Sequence, residues 1–458
     1  MHTLAAVSRG GTYDVVISGG AIAGAVAAIR YGRAGLRVAL LERSPDEDHF
    51  ERACTHTISA GQVPLLDELG LTEDLEAVAA PRHSWELYTR YGWIRGELDD
   101  YPYPKWNCTV RREVLDPLLR RHAAESGDVD VLYGWKVEDV MRSGRRVKGV
   151  VATNRSGRRV ELPAKLTVGA DGQESAVAEA AGLPARRRRH ERFAYWGYFE
   201  NLRLQSHPKN QIYFLDPDTA YLMYTDSDLV VLVIAPHKSR YPEFRKDPDA
   251  FYRRFIAELP DGPNLEGARQ VGPMAGHMDM TNVKRRVAAP GVALVGDAAV
   301  AADPVWGWGC GWAMLSSSML AQETADAVRR SDVVLDRALM RYRIKHSKRF
   351  SSPYHAAADY SRGRRFYPVE KIVFAAAARD ILTARHIHSY VTSSIGIGRL
   401  ASPRPMLRAL GVYLANLPSI HLGSDVPAPL PPLAAEDLVA DTPSPEPALA
   451  LSGGGAAS

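Results

Sequence analysis

The sequence predicts an α/β fold: a Rossmann-like dinucleotide-binding unit, joined by a second domain built on an antiparallel sheet and by a C-terminal helical segment. Three observations carry this. Residues 13–43 read as strand, glycine turn, helix, strand. Two later apolar strands each end in a glycine-acid step, at Gly169-Ala170-Asp171-Gly172 and Gly296-Asp297. Between these motifs, aromatic stretches alternate at the two-residue period of strands.

The first unit is the most explicit. Asp14-Val15-Val16-Ile17 is a short apolar run, as expected of a strand buried on both faces of a parallel sheet. Gly19-Gly20-Ala21-Ile22-Ala23-Gly24 follows, and an Ala-rich, Pro-free stretch from Ile22 to Gly35 reads as a helix. Arg37 to Glu42 is the second strand. Gly19 permits the tight turn and Gly24 lets the helix pack close to the sheet. The helix N-terminus offers free N–H groups to a pyrophosphate. Glu42, at the strand tip, is placed to accept hydrogen bonds from a ribose. The middle glycine of G-x-G-x-x-G is Ala21, one methyl larger, expected to take helical backbone angles at slight cost. The fingerprint does not choose between NAD and FAD.

A polar loop from Arg43 leads to Arg52, whose guanidinium is in reach of a pyrophosphate in sequence terms and reads equally as a surface arginine. His56 faces a pocket or is a hydrogen-bonded structural histidine. A short helix ends at Gly70, and residues 82–106 read as strands of a second sheet. Cys108 to Glu125 reads as a helix with Val114, Leu115, Leu118 and Leu119 on one face, and Arg112, ahead of that face, is in a position to point at a cofactor. Strands follow at 129–133, 136–140, 147–153, 159–162 and 166–169, with turns near Gly144 and Gly157. Arg186 to Arg189 reads as a solvated loop, with a 2′-phosphate site as the sharper alternative. Residues 191–236 read as an antiparallel sheet walling a substrate pocket, and 248–259 as a helix. After Asp297, the run Asp303-Pro304-Val305-Trp306-Gly307-Trp308-Gly309-Cys310-Gly311-Trp312 opens a helix to about Arg330. Its glycines let backbone approach a flat ring. Its N-terminus favours negative charge and would lower the pKa of Cys310, for which a packing role is the plainer reading. Residues 331–418 are helical. The tail from about Gly423 is rich in Pro, Ala and Ser and reads as disordered.

The bulk numbers exclude several classes. At 458 residues and net charge +4, with no basic stripe bearing aromatics, nucleic acid is not an expected partner. No 18-residue apolar run predicts a membrane span. Residues 1–12 lack the apolar core of a signal peptide. Three cysteines, distant in sequence, predict neither a disulfide framework nor a metal site and fit a cytoplasmic protein.

With its three motifs in order, the chain resembles the FAD-dependent monooxygenases of the aromatic-hydroxylase class, over roughly residues 13–330. The resemblance implies one FAD in a glutathione-reductase-type fold. Gly19, Gly20, Ala21, Ile22, Ala23, Gly24, Glu42 and Arg43 would hold the ADP half. Arg52 and Arg112 would help bind FAD, and Val137 would touch adenine. Asp171 belongs to the motif linked to both nucleotides. Gly296 and Asp297 would meet the ribityl chain, and Gly309 and Cys310 would border the isoalloxazine. His56, Trp306 and Trp308 are substrate-pocket candidates. No catalytic acid or base is identified, and no metal ligand.

The implied organisation is FAD-binding parts at 12–81, 107–185 and 285–330, substrate-domain parts at 82–106 and 186–284, a helical region at 331–422 and a tail at 423–458. The implied reaction uses O₂ and NAD(P)H as a transient reductant, or reduced flavin from a partner flavin reductase. It oxygenates a small organic substrate, aromatic or polyketide-like, through a flavin C4a-hydroperoxide. Two alternatives share the motifs. A geranylgeranyl-reductase-type enzyme saturates C=C bonds. A flavin-dependent halogenase uses an early lysine and Trp-x-Trp-x-Ile-Pro. Here the first lysine is Lys105, and Trp306-x-Trp308 has no Ile-Pro after it.

Overall fold

The first strand, Tyr13–Ser18, sits in the middle of an eight-stranded sheet. It pairs in parallel with Val38–Glu42 on one side and Arg159–Gly169 on the other. Val129–Tyr133 and Val292–Leu294 extend the parallel core outward. Every residue of Val38–Glu42 is buried, as its unbroken apolar run predicts. The computed structural model describes residues 11–417 except 53, 55, 79, 81, 96–105 and 208. The expected tail at 423–458 lies outside the described residues.

The fingerprint helix Ile22–Arg33 is sandwiched between this sheet and the long helix Gly309–Val328. Its small residues permit the close approach. Ser317 Oγ donates to the Ala23 carbonyl at 2.7 Å, and the Tyr31 and Thr324 hydroxyls meet at 2.7 Å. The helix 112–124 forms despite Pro117.

Two predicted strands, 159–162 and 166–169, are one, Arg159–Gly169. The break suggested by Pro163 is instead a change of partner. Up to Pro163 the strand pairs antiparallel with Arg146–Asn154, and from Ala164 it pairs in parallel with the first strand. A residue without an N–H is tolerated where one ladder ends and the next begins.

The second sheet has seven strands, including Ala194–Glu200, Asn210–Phe214, Thr219–Tyr224 and Val230–Ala235. It is not purely antiparallel. Asn210–Phe214 pairs in parallel with Trp85–Thr89, so the aromatic stretch at 85–94 and the sheet at 191–236 are one structure, whereas Arg82–His83 pairs with Asn107–Thr109 in a separate three-stranded sheet. Arg186–Arg188 is a strand, not a loop. It pairs with Asn282–Lys284 while its side chains remain exposed, which is why its charge pattern reads as solvated. The C-terminal region is helical, at Asp332–Tyr360, Pro368–Ala377, Ile381–Val391, Ile397–Leu400 and Pro403–Ala415. Phe366, Phe374, Ile387 and Val391 join the core of the second sheet. No described helix is long and apolar enough to cross a membrane.

Candidate functional site

A cleft of about 1870 Å³ runs from the fingerprint turn to the face of the second sheet. Drug-sized ligands fill roughly 300–1,000 Å³, so this space is large enough for an extended ligand and a second molecule beside it.

The nucleotide end is built from the glycine turn. Gly19 has φ +103°, and a Cβ there would stand 2.4 Å from the Ala170 carbonyl oxygen. A Cβ on Gly24 would stand 1.8 Å from the Gly19 carbonyl oxygen. Ala21 does not take helical angles. It is the N-cap residue at φ −80°, ψ −170°, extended backbone that alanine adopts without strain. Its side chain caps nothing, leaving the first N–H groups of the helix for a ligand.

Glu42 is buried at the strand tip. Its Oε2 accepts from Gly20 N at 3.0 Å and its Oε1 from Ser44 N at 2.9 Å. Each oxygen keeps a second lone pair, so the carboxylate can accept from a ligand hydroxyl while holding the turn. Ser18, Gly20, Ile22, Ala23, Arg43 and Val137 also line this end. Arg43 is exposed, and Val137 is buried beside Trp135.

Arg112 and Arg120 face the cleft from the helix Arg112–Ala124. Arg112 makes a bidentate pair with Asp116, at 2.7 and 2.9 Å. Arg120 donates to the Gly20 carbonyl at 3.2 Å and to the carbonyls of Glu47 and His49, and its buried Nε has no partner. Sequence reading missed Arg120. The signal was the four-residue recurrence of Arg112, Asp116 and Arg120, which sets three charges on one helical stripe. Arg52 is not brought to the cleft; it is exposed and outside the lining.

Asp171 lines the cleft but turns toward the next helix, accepting from Ser175 Oγ at 2.5 Å and Val177 N at 3.1 Å. Burial raises its pKa against those bonds. Asp297 follows Gly296, whose N–H is held by Ser316 Oγ at 3.0 Å. The surrounding protein pushes the Asp297 carboxyl up to about 6. Its side chain is nonetheless exposed within the cleft, so water there moderates the shift.

At the other end the cleft has open space where the ring is expected. Gly309 opens the long helix, and a Cβ on it would meet nothing within 4 Å, so the space above it is free. The approach is anchored by Asp303. Its Oδ2 lies 2.5 Å from Arg192 Nη2 and 2.5 Å from His190 Nε2. Its Oδ1 accepts from Val305 N at 2.7 Å, setting the turn Pro304–Trp306. The Arg192 and His190 charges hold its carboxyl well below the usual range, against the opposing effect of burial.

Trp308 lines the cleft while its Nε1 donates to the Val391 carbonyl at 2.8 Å. It stacks between Trp306 and Trp312, at 5.8 and 5.5 Å. Trp306 packs on Phe214 and Tyr390 and is outside the lining. His56 is buried against the Tyr198 hydroxyl, also outside it. The expected lowering at Cys310 falls instead on Cys54, its neighbour in space. Cys310 is raised, by the hydrogen bond the two sulfurs share and by burial.

The model of the "FAD binding domain" family matches residues 12–344. The chain is 25% identical over 394 residues to para-nitrophenol 4-monooxygenase of a Pseudomonas species, covering 81% of this chain and 93% of that protein. It is 26% identical over 351 residues to digeranylgeranylglycerophospholipid reductase 2 of Methanothermobacter thermautotrophicus, covering 74% and 84%. Among solved structures, the flavin-dependent brominase Bmp2 superposes with a TM-score of 0.71 at 20% identity, covering 89% of this chain and 100% of that one.

Proposed function

The chain belongs to the FAD binding domain family, and from that membership we propose that it is an FAD-dependent monooxygenase acting on an aromatic or polyketide-like small molecule. The observation that carries the reading is the continuity of the cleft. Gly309, Trp308 and Trp312 line it together with Trp196, Tyr221 and Val233, register partners that share one face of the second sheet. Flat aromatic walls favour a flat aromatic guest through offset or edge-to-face contacts.

Bound FAD supplies reaction with O₂ and transfer of one oxygen atom. The residues of this chain do the positioning. The turn Gly19–Gly24 and Glu42 hold the adenosine and pyrophosphate end. Asp303 fixes the turn that leads to the helix Gly309–Val328, whose first N–H groups would favour negative charge on a bound ring by roughly 0.3–2 kcal/mol. Trp308 and Trp312 exclude water from the reacting face. The electrons come from NAD(P)H visiting the cleft or from a partner flavin reductase.

The test is incubation with ¹⁸O₂, NAD(P)H with or without a flavin reductase, and a panel of phenols and polycyclic polyketides. One ¹⁸O per product is expected. Anaerobic saturation of an isolated C=C bond, with no oxygen incorporated, would establish the reductase reading instead.

Two substitutions probe the two ends. Glu42→Ala should weaken FAD binding by roughly 1.5–3 kcal/mol, the range for hydrogen bonds to a charged group, measured by equilibrium titration of apoprotein. Retention equal to wild type would place the ribose elsewhere. Trp308→Phe keeps a ring but orphans the Val391 carbonyl. It should lower stability by about 1–3 kcal/mol and raise peroxide released per NAD(P)H consumed, because the wall loses its anchor. Unchanged coupling would make Trp308 a packing residue only.

A further inference from the structure

Two sulfur atoms in the cleft have no part in the reading above. Cys54 Sγ lies 3.4 Å from Cys310 Sγ, although 256 positions separate them in sequence. Both line the cleft, and all three described cysteines are free thiols. The two thiols stand in unlike surroundings. Cys54 is partly exposed and accepts a hydrogen bond from His56 N at 3.2 Å. It shares a hydrogen bond with the Cys310 sulfur, and the Arg112 guanidinium, held by Asp116, lies near. Together they draw the Cys54 thiol well below the usual cysteine range. Cys310 is buried at the second position of the helix Gly309–Val328. Cys108 is elsewhere in the core, and burial pushes its thiol up to about 12.

We propose that Cys54 and Cys310 form a reversible dithiol–disulfide pair that is oxidised by hydroperoxides entering or arising in the cleft. The Cys54 thiolate attacks the peroxide O–O bond. An S–O bond forms, the O–O bond breaks, and the departing oxygen leaves as water or alcohol with a proton. The Cys310 sulfur then attacks the Cys54 sulfur. The S–S bond forms, the S–O bond breaks, and hydroxide leaves as water with the Cys310 proton. The two sulfurs lose two electrons and the peroxide gains them. Attack falls to Cys54 because it is the more exposed of the two and its sulfur accepts from the His56 N–H, which stabilises a thiolate, and resolution falls to the buried Cys310 because its sulfur lies 3.4 Å away. A thiol reductant reverses the step by exchange. The closed pair ties the segment after the second strand to the start of the helix below the ring. It also replaces a thiolate with a neutral bond beside Arg112. The inference is independent of which substrate the enzyme oxygenates.

The test uses the full-length, FAD-loaded protein, reduced and desalted, then treated with stoichiometric hydrogen peroxide and blocked with N-ethylmaleimide. Loss of two alkylatable thiols is expected, with a mass lower by two hydrogens and a peptide cross-link joining Cys54 to Cys310. Dithiothreitol should restore both thiols. Cys108→Ser should still cross-link. Cys310→Ser should give a dimedone-trapped sulfenic acid on Cys54 and no cross-link, while Cys54→Ser should leave Cys310 alkylatable. Three alkylatable thiols after peroxide, a cross-link through Cys108, or sulfenic acid on wild-type Cys54 without closure would each overturn the proposal.

Discussion

Asp303→Ala should destabilise the protein by about 3–5 kcal/mol, the cost of leaving a buried charge without its partner. Arg192 and His190 are both buried, and both press on one oxygen of this carboxylate. The remaining Arg192 contacts are the Pro217 carbonyl at 3.2 Å and the face of Tyr360 at 4.8 Å, which solvate a guanidinium without neutralising it. Thermal or denaturant unfolding measures the loss. Combining the change with Arg192→Met should recover much of it, since two cavities without charge cost less than one orphaned cation. A double variant no more stable than the single would show that the pair's Coulombic attraction is not what holds the turn. The pH dependence has a definite sign. The folded-state pKa of Asp303 lies below its unfolded value. Its contribution is therefore complete above about pH 4 and is lost as pH falls toward the folded value. Wild type should lose stability in acid more steeply than Asp303→Ala.

Gly24→Ala should reduce FAD affinity by roughly 10–100-fold, from an overpacking cost of about 1–3 kcal/mol placed on the binding turn. The added carbon meets backbone, the Gly19 carbonyl, at 1.8 Å, so no side chain can rotate away. Either the helix N-terminus or the turn must move, and both belong to the proposed pyrophosphate cradle. Gly309→Ala is the companion measurement. Its added carbon meets no protein atom and lies in a helix, so the apoprotein should keep or gain stability by up to about 1 kcal/mol. FAD affinity should nevertheless fall, because the methyl group enters the ring's space. Full affinity in Gly309→Ala would move the ring away from this helix.

The nucleotide half was legible because its signals are local. A buried parallel strand, a glycine turn and an acid at the next strand tip are written in consecutive residues. The same holds for the strands that deliver Asp171 and Asp297. What the sequence hid depends on contacts between distant segments. Cys54 and Cys310 read as unrelated thiols because nothing within either segment encodes their meeting. Asp303 was quoted as part of a loop, but its partners His190 and Arg192 lie on another strand system. Trp306 looked like a pocket residue by its neighbours in sequence. The C-terminal helices, which carry no motif, cover it. Arg186–Arg188 failed as a strand because an exposed edge with three charges has the composition of a loop.

The parallel ladder between Trp85–Thr89 and Asn210–Phe214 governs the order in which the chain assembles. Four of the eight strands of the nucleotide sheet are synthesised between its two halves. The hairpin at 85–94 therefore leaves the ribosome long before the strand that shelters it, with Leu87 and Ile94 awaiting a core. Such long-range closure is slow and leaves apolar edges exposed meanwhile. Fragments ending near residue 185 should precipitate even though the residues of the dinucleotide fingerprint are all present in them.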